Sequence, residues 1–376
     1  MRIAIITTTF WPRVGGQEMV VHQLGTHLHG GPHEAVVFAP QPQRAFTEIE
    51  HPYPLIRFGW RLPGMTRFQF NQYALYRAFA KAHKAHPFDV INAHNALDAT
   101  SYALRLGKQH HLPVVVTCHG ADIQREPEIN YGARLDPKLD QIITHNLQSA
   151  TNIVAISGSI RDELTELVPN NQITSIPNGV NLEPFENAQQ PFLRKRLGKG
   201  PFVLSIGRNV RKKAFAIGVT AFAQVADQVP DVIYVHLGRN GEPLNTLADQ
   251  LGIGNRFVSL GQASHEEVVA ALCEASIFFS PSISEAFPVV NIEAMAAGLP
   301  CVVTAGPGNI DSVVNGENGW IVPIGDEAKM AEALLDLLQN EARRRDFGRK
   351  SLEYVQAYRW DTVAQQYLSL FQSLIR

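Results

Sequence analysis

The stretch Ser284-Glu285-Ala286-Phe287-Pro288-Val289-Val290-Asn291-Ile292-Glu293-Ala294-Met295-Ala296-Ala297-Gly298-Leu299-Pro300 decides the reading of this chain. It follows a strand-like apolar run, Ser276 to Ser280, and a turn signal at Pro281. Pro288 is expected at the first helical position, and Gly298 and Pro300 are expected to end the helix. The pattern is strand, loop, short helix, with one carboxylate on the loop and one on the helix. The helix start near Val289 and Val290 offers N–H groups and a positive dipole end, a ready anion site. Pro288 has no N–H, so the donors lie just after it. Glu293 sits roughly 7 Å further along the axis, and its side chain leans back toward the start. A ligand with a diphosphate between two hydroxyl-rich parts, such as a nucleotide-sugar, meets these features in order. An ordinary crossover helix carrying two solvated glutamates has the same pattern.

Around this stretch the chain reads as α/β. Strand-like runs at Ile3–Thr7, Ala35–Ala39, Val90–Ala93, Val114–Thr117 and Ile153–Ile156 alternate with helical patterns. The alternation resumes at Phe202–Ile206, Val232–Leu237, Val258–Leu260, Ile277–Ser280 and Cys301–Thr304. Such alternation means βαβ units and parallel sheets with both faces covered. The length of 376 residues points to two Rossmann-like domains. The expected limits are 1–185 and 186–358, with a polar helical run at Phe192–Gly200 near the boundary. A final amphipathic helix, 359–376, is expected to follow.

The composition, 45 % apolar and 18 % charged, is globular, and the net charge of −2 carries no general pull toward nucleic acid. Cys118, Cys273 and Cys301 stand far apart in apolar contexts, which fits a reducing, cytoplasmic setting. The first residues read as a strand running into Trp11-Pro12, not as a signal peptide. No apolar run reaches about 18 residues.

Other segments carry candidate chemistry. The first strand–helix turn runs Pro12-Arg13-Val14-Gly15-Gly16-Gln17-Glu18. It lacks G-x-G-x-x-G, against a dinucleotide dehydrogenase, but its glycine pair lets backbone approach an anion. A flexible turn would look similar. His119, in Thr117-Cys118-His119-Gly120-Ala121-Asp122, directly follows a strand, where open α/β sheets face their ligand. His94 follows the preceding strand in the same way. Pro177-Asn178-Gly179-Val180 is a turn. Gly207-Arg208-Asn209-Val210-Arg211-Lys212-Lys213 sets a cation cluster behind a strand. It is either a solvated face or a diphosphate site. Thr304–Asp311 and Asn315–Gly319 are glycine-rich turns read as architecture. Residues 51–88 carry no Asp or Glu, and in them Arg57, Arg61, Arg67, Arg77, Lys81 and Lys84 mix with Phe58, Trp60, Phe68 and Phe70. That mixture suits a membrane surface or an anionic acceptor, and equally a partly packed helix pair.

Taken in order, five of these segments resemble the retaining glycosyltransferases of family 4, which have the GT-B fold. They are the Gly-Gly loop, His119-Gly120-Ala121-Asp122, Pro177-Asn178-Gly179-Val180, the cation cluster and the E-x7-E segment. The resemblance implies two Rossmann-like domains facing a deep cleft, with the last helix, 359–376, crossing back to the N-terminal domain. It implies Glu285 and His119 against the donor sugar, Glu293 on the ribose, and Arg208 and Lys213 on the diphosphate. Gly15, Gly16, Phe287, Pro288, Val289 and Val290 would line the donor, with Glu18, Asp122 and His94 toward the acceptor; Asp122 could instead fix its loop. It further implies transfer of a hexose with retention, without metal or cofactor, to a glycan or glycolipid of the cell surface. UDP-sugar is the favoured donor and GDP-mannose its competitor. Docking of residues 57–84 on the inner membrane surface is part of the same expectation. Ala286, Pro288 and Ala214 depart from a pattern in which glycine is frequent, so donor specificity is expected to be unusual. The alternatives are a nucleotide-sugar epimerase, a sugar phosphorylase, or a silent nucleotide-sugar-binding subunit.

Overall fold

Successive residues of the first strand feed two different cores. Ile3 and Ile5 pack on one face of the sheet with Val20, Leu24 and Leu28. Ala4 and Ile6 pack on the other with Phe38, Phe79 and Leu106. A strand covered on both faces needs apolar residues at every position, which explains the unbroken Ile-Ala-Ile-Ile run.

The computed structural model describes residues 1–13, 15–42, 49–59, 67–187 and 190–375, without the side chains of 67–71. The chain divides into two units, 1–178 with 360–376, and 179–359. In chain order the first unit has strands β1 (Arg2–Thr7), β2 (Glu34–Pro40), β3 (Leu55–Phe58), β4 (Val90–His94), β5 (Val114–Thr117), β6 (Asn152–Ala155) and β7 (Ile173–Ser175). Its helices are α1 (Gly16–Leu28), α2 (Arg67–Ala85), α3 (Asp98–His110), α4 (Pro137–Ser149) and α5 (Gly158–Thr165). The sheet is parallel, in the order β3-β2-β1-β4-β5-β6-β7.

The second unit contains α6 (Glu183–Glu186), α7 (Leu193–Leu197), β8 (Phe202–Ile206), α8 (Phe215–Ala226), β9 (Ile233–Leu237), α9 (Glu242–Gln250) and β10 (Phe257–Ser259). It continues with α10 (His265–Glu274), β11 (Ile277–Ser280), α11 (Val289–Ala296), β12 (Cys301–Thr304), β13 (Gly319–Val322), α12 (Glu327–Gln339) and α13 (Glu341–Tyr354). Its parallel sheet runs β10-β9-β8-β11-β12-β13. Phe215, Val219 and Phe222 of α8 share a core with Met330, Leu334 and Leu337 of α12 over Tyr234 and Phe279. Each sheet is doubly wound. The strand order reverses between β1 and β4 in one unit and between β8 and β11 in the other, and such points open a ligand crevice at the strands' carboxyl ends.

The last helix, α14 (Trp360–Leu374), joins the first unit. Trp360, Val363, Ala364, Tyr367, Leu368 and Phe371 lie at helical spacing and pack against α1 and β1 residues. The Tyr367 hydroxyl meets Thr117 Oγ1 at 3.3 Å.

Three strands escape the sequence patterns: β3, β7 and β13. Each has three or four residues, and all three edge a sheet. Edge strands need less apolar sequence and so leave a weaker signal. Pro288 is the residue before α11, with φ −76° and ψ 98°, not its first helical residue. The polar run 192–200 is helical over Leu193–Leu197 alone.

Candidate active site

In the second unit the carboxyl ends of β8 and β11 stand side by side and carry the two charged loops. The β8 loop begins at Gly207, whose N–H donates to Leu237 O at 2.8 Å and whose carbonyl accepts from His236 Nε2 at 2.9 Å. A Cβ at Gly207 would lie 3.3 Å from Lys213 Cε, so its absence gives the lysine stem room to cross. Arg208 is exposed. Arg211–Lys213 form one 3-10 turn that ends at Ala214 in the left-handed region, φ 48°. An alanine there costs about 1 kcal/mol over glycine, yet it keeps the backbone course.

Lys213 turns inward. Its Nζ lies 2.5 Å from Glu285 Oε1, with Lys212 Nζ 3.6 Å from Glu285 Oε2. Glu285 is only 5 % exposed. Burial alone would raise its pKa, but Lys213 and then Lys212, helped by hydrogen bonds from Lys213 and Ser282, hold it below the usual carboxylate range. The two loops are also tied through main chain, since Ile283 N–H donates to Lys212 O at 2.7 Å.

A third segment clasps the Glu285 loop from behind. Glu285 N–H donates to Pro307 O at 2.9 Å. A Cβ on Gly306 would come within 2.4 Å of Ile283 O. Asn309 Nδ2 donates to Thr304 Oγ1 at 3.0 Å, and that hydroxyl donates to Ser282 O. Asn291 Nδ2 reaches Asn309 Oδ1 and Ser312 Oγ at 3.3 Å. The glycine-rich turn therefore shapes the loop that carries Glu285. Asn291 and Asn309 were not among the expected site residues. Their one signal in the sequence is an amide inside an apolar helix and another beside Gly308.

α11 has no side-chain cap, and Val289 and Val290 are half-buried at its start. Glu293 lies one turn further, its side chain 17 % exposed and 3.9 Å from His265 Nδ1. Burial raises its pKa against the pull of His265. A carboxyl raised in the folded state loses stability as pH climbs from the unfolded value through the folded one. Glu293→Gln is therefore expected to melt at or above wild type at pH 7–8 and level with it near pH 4, while binding nucleotide more weakly. Melting scans across that range, with and without UDP, check both halves. The ring of Phe287 is buried, 5.8 Å from that of Tyr358.

In the first unit, the carboxyl ends of β1, β4 and β5 bear the remaining candidates. Glu18 is 4 % exposed and curls back on the helix start, where a Cβ at Gly15 would sit 2.8 Å from its Oε2. Arg13 approaches it at 3.6 Å. Glu18 thus packs against the Gly15 turn at the start of α1 with little of its surface exposed. Gly15 and Gly16 are exposed. Asp122 is buried too. Its carboxylate accepts from Ala96 N–H and His119 N–H, both at 2.9 Å, and burial still raises its pKa. Of its two expected uses, the structure fits loop fixing.

His94 has no exposed surface. It lies beneath His119, with Nδ1 2.9 Å from His119 Nε2. An acceptor would meet His119 first, so His94 is corrected from a contact to a support. Burial pushes His119 down to about 4, so it is neutral at physiological pH.

Among the described residues of the basic–aromatic stretch, the side chains divide between core and surface. Phe58 is buried, and Arg57 donates to Pro40 O at 3.1 Å and Trp11 O at 3.0 Å. Tyr73, Arg77, Lys81 and Lys84 are exposed along one side of α2. Trp60, Arg61 and the side chains of Arg67, Phe68 and Phe70 lie outside the described residues. No helix among the described residues is long and apolar enough to cross a membrane.

Comparison with known proteins gives these features a context. Residues 14–184 match the family described as Glycosyltransferase Family 4, and residues 188–353 match Glycosyl transferases group 1. Phosphatidyl-myo-inositol mannosyltransferase of Mycobacterium leprae is 29 % identical over 384 aligned positions, covering 100 % of this chain and 97 % of that protein. The structure of sucrose-phosphate synthase from Thermosynechococcus elongatus superposes with a TM-score of 0.82 at 25 % identity, over 99 % of this chain and 98 % of that one. Anabaena HepE, solved with UDP and glucose, superposes with a TM-score of 0.79 at 19 % identity over the whole of both chains. With its two doubly wound units and both family matches, the chain belongs to the family 4 glycosyltransferases of the GT-B fold.

Proposed function

We propose that this glycosyltransferase moves a hexose from a nucleotide-sugar, with retention of configuration, to a glycan or glycolipid acceptor of the cell surface. The observation that carries the reading is the second unit's pairing of Lys213 with the buried Glu285 beside the start of α11. An ammonium has three donors, so Lys213 can hold Glu285 and a phosphate oxygen together. Arg208 supplies a second cation. These charges and the helix start would stabilise the departing diphosphate as its charge grows. They supply the charge that a metal ion would otherwise bring, and the reading needs no cofactor.

The bond from the anomeric carbon to the diphosphate oxygen breaks as the acceptor oxygen bonds to that carbon on the same face. The leaving phosphate takes the acceptor's proton. Glu285 faces the sugar, and Glu293 accepts from a ribose hydroxyl. In the first unit His119 takes a sugar hydroxyl. A UDP-sugar is the favoured donor, supported by the UDP seen in Anabaena HepE; GDP-mannose competes, supported by the mannosyltransferase relative. The exposed row Tyr73, Arg77, Lys81 and Lys84 supports a peripheral contact with the anionic inner membrane surface.

The test is a melting screen with UDP, UDP-glucose, GDP and GDP-mannose. A nucleotide at 100 times its Kd stabilises by about 2.7 kcal/mol, a shift of several degrees. One base is expected to shift the melt and the other to leave it in place. Product analysis then shows whether the sugar reaches an acceptor. No shift with any of the four at millimolar concentration would overturn the reading.

A further inference from the structure

Beneath His119 lies a chain of hydrogen bonds whose direction is set by main chain. Asn92, on β4, is fully buried. Its Nδ2 donates to Val115 O at 3.2 Å and to Thr117 Oγ1 at 3.0 Å, both on β5. Val115 O can only accept, so the amide nitrogen must face it and the amide oxygen must face away. That oxygen lies 2.9 Å from His94 Nε2. A carbonyl oxygen only accepts, so His94 Nε2 carries a proton.

Burial, and then the neighbouring His119, push His94 well below the ordinary imidazole value. A neutral His94 with its proton on Nε2 has a bare Nδ1. That Nδ1 lies 2.9 Å from His119 Nε2, and two bare nitrogens at that distance would repel. His119 must therefore donate from Nε2. Its own Nδ1 is then bare, and among the described residues it has no hydrogen-bond partner while the ring stays half-buried.

We propose that Asn92 and His94 are positioning residues that lock His119 in the Nε2–H tautomer, so that its Nδ1 lone pair accepts a hydrogen bond from a substrate hydroxyl. The lock reads one chemistry. A hydroxyl or an amine can donate to Nδ1, whereas an ether oxygen, a carbonyl or fluorine in the same place cannot. A bare Nδ1 also repels an anion. The inference rests on the glycosyltransferase reading only in taking the hydroxyl as a sugar's. The tautomer itself follows from the residues of the first unit.

The test uses the full chain, ligand-free and labelled with 15N-histidine. Two-bond proton–nitrogen correlation spectra at pH 7 report which ring nitrogen carries the proton. Loss of signals in His119→Asn assigns His119. The expected pattern for His119 is protonated Nε2 and bare Nδ1, in one tautomer. Protonation on Nδ1, or an averaged mixture, would overturn the inference without any variant having to fold. Asn92→Leu and His94→Leu are expected to give a tautomer mixture at His119, and His94→Asn, whose amide can still accept, is expected to restore the single form. An unchanged His119 pattern in folded His94→Leu would remove the role of His94.

With UDP-glucose or GDP-mannose, whichever turns over, kcat/KM is expected to fall about tenfold or more in His94→Leu and to recover within a few-fold in His94→Asn. If neither donor turns over while the wild-type tautomer is as stated, the glycosyltransfer reading fails and the lock stands. If a donor turns over and His119 carries its proton on Nδ1, the lock fails and the reading stands.

Discussion

Replacing Lys213 by alanine is expected to lower turnover about 100- to 1000-fold, the loss typical of removing one stabilising donor from a developing oxyanion. It should also destabilise the protein. Glu285 would remain buried with Lys212 as its nearer remaining cation, at 3.6 Å. Breaking a buried ion pair costs about 3 kcal/mol, or roughly 6–12 °C in the melting of a unit this size. The pH dependence has a definite sign. Glu285 titrates below the usual carboxylate range in the folded protein, so its contribution is fully present above the unfolded pKa and is lost as pH falls through the folded one. The gap between wild type and Lys213→Ala is therefore expected to be full at pH 7 and to close in acid. Adding Glu285→Ala should recover much of the stability and none of the activity. Melting scans against pH, with turnover on the selected donor, separate the two effects. A Lys213→Ala enzyme turning over near the wild-type rate would contradict the mechanism.

Gly308→Ala is expected to do comparable damage without touching a charge. Gly308 has φ +77°, and a Cβ there would lie 2.4 Å from Glu285 O. The obstruction is main chain, itself fixed by the bond from Glu285 N–H to Pro307 O, so it cannot swing aside. The backbone dihedral alone costs about 1–3 kcal/mol for a residue with a side chain, and the contact forces the Glu285 loop to move. A displacement of about 1 Å at a reacting group can cost about 100-fold in rate. Gly316→Ala is the control. Gly316 has φ +81°, but its nearest contact would be Trp320 Cζ3 at 3.8 Å. It should show the dihedral cost with turnover intact. Equal losses of activity in the two variants would refute the clasp.

How much of this was legible beforehand differs from residue to residue. The central strands were readable because residues buried on both faces need apolar side chains throughout, as at Val114–Thr117 and Cys301–Thr304. The edge strands Leu55–Phe58, Ile173–Ser175 and Gly319–Val322 were not, because one of their edges pairs with nothing among the described strands. Glu285, Glu293, Arg208 and Lys213 were each visible as charges at strand ends or helix starts. Their partners were not. A basic run looks the same whether its lysines face water or, as Lys213 does, a buried carboxylate. His94 had the position of a ligand contact and proved to be a support, since a residue at a strand's end can point into the sheet as readily as out of it.

The sequence by itself determined the alternation of strands and helices, and with it two parallel sheets and the placing of each charged motif at a carboxyl end. Those are local properties: burial on both faces, helix stops and turn residues are written within a few positions of where they act. Only the tertiary structure decided which groups meet. Glu285 reaches Lys213 because β11 crosses back to lie beside β8. Gly308 abuts Glu285 because β12 lies next in the sheet. Asn92, His94 and His119 share one line of hydrogen bonds because β4 and β5 run in register, pairing Asn92 with Val115 and His94 with Thr117. Strand order and register bring distant residues into hydrogen-bonding range, and no local pattern encodes them.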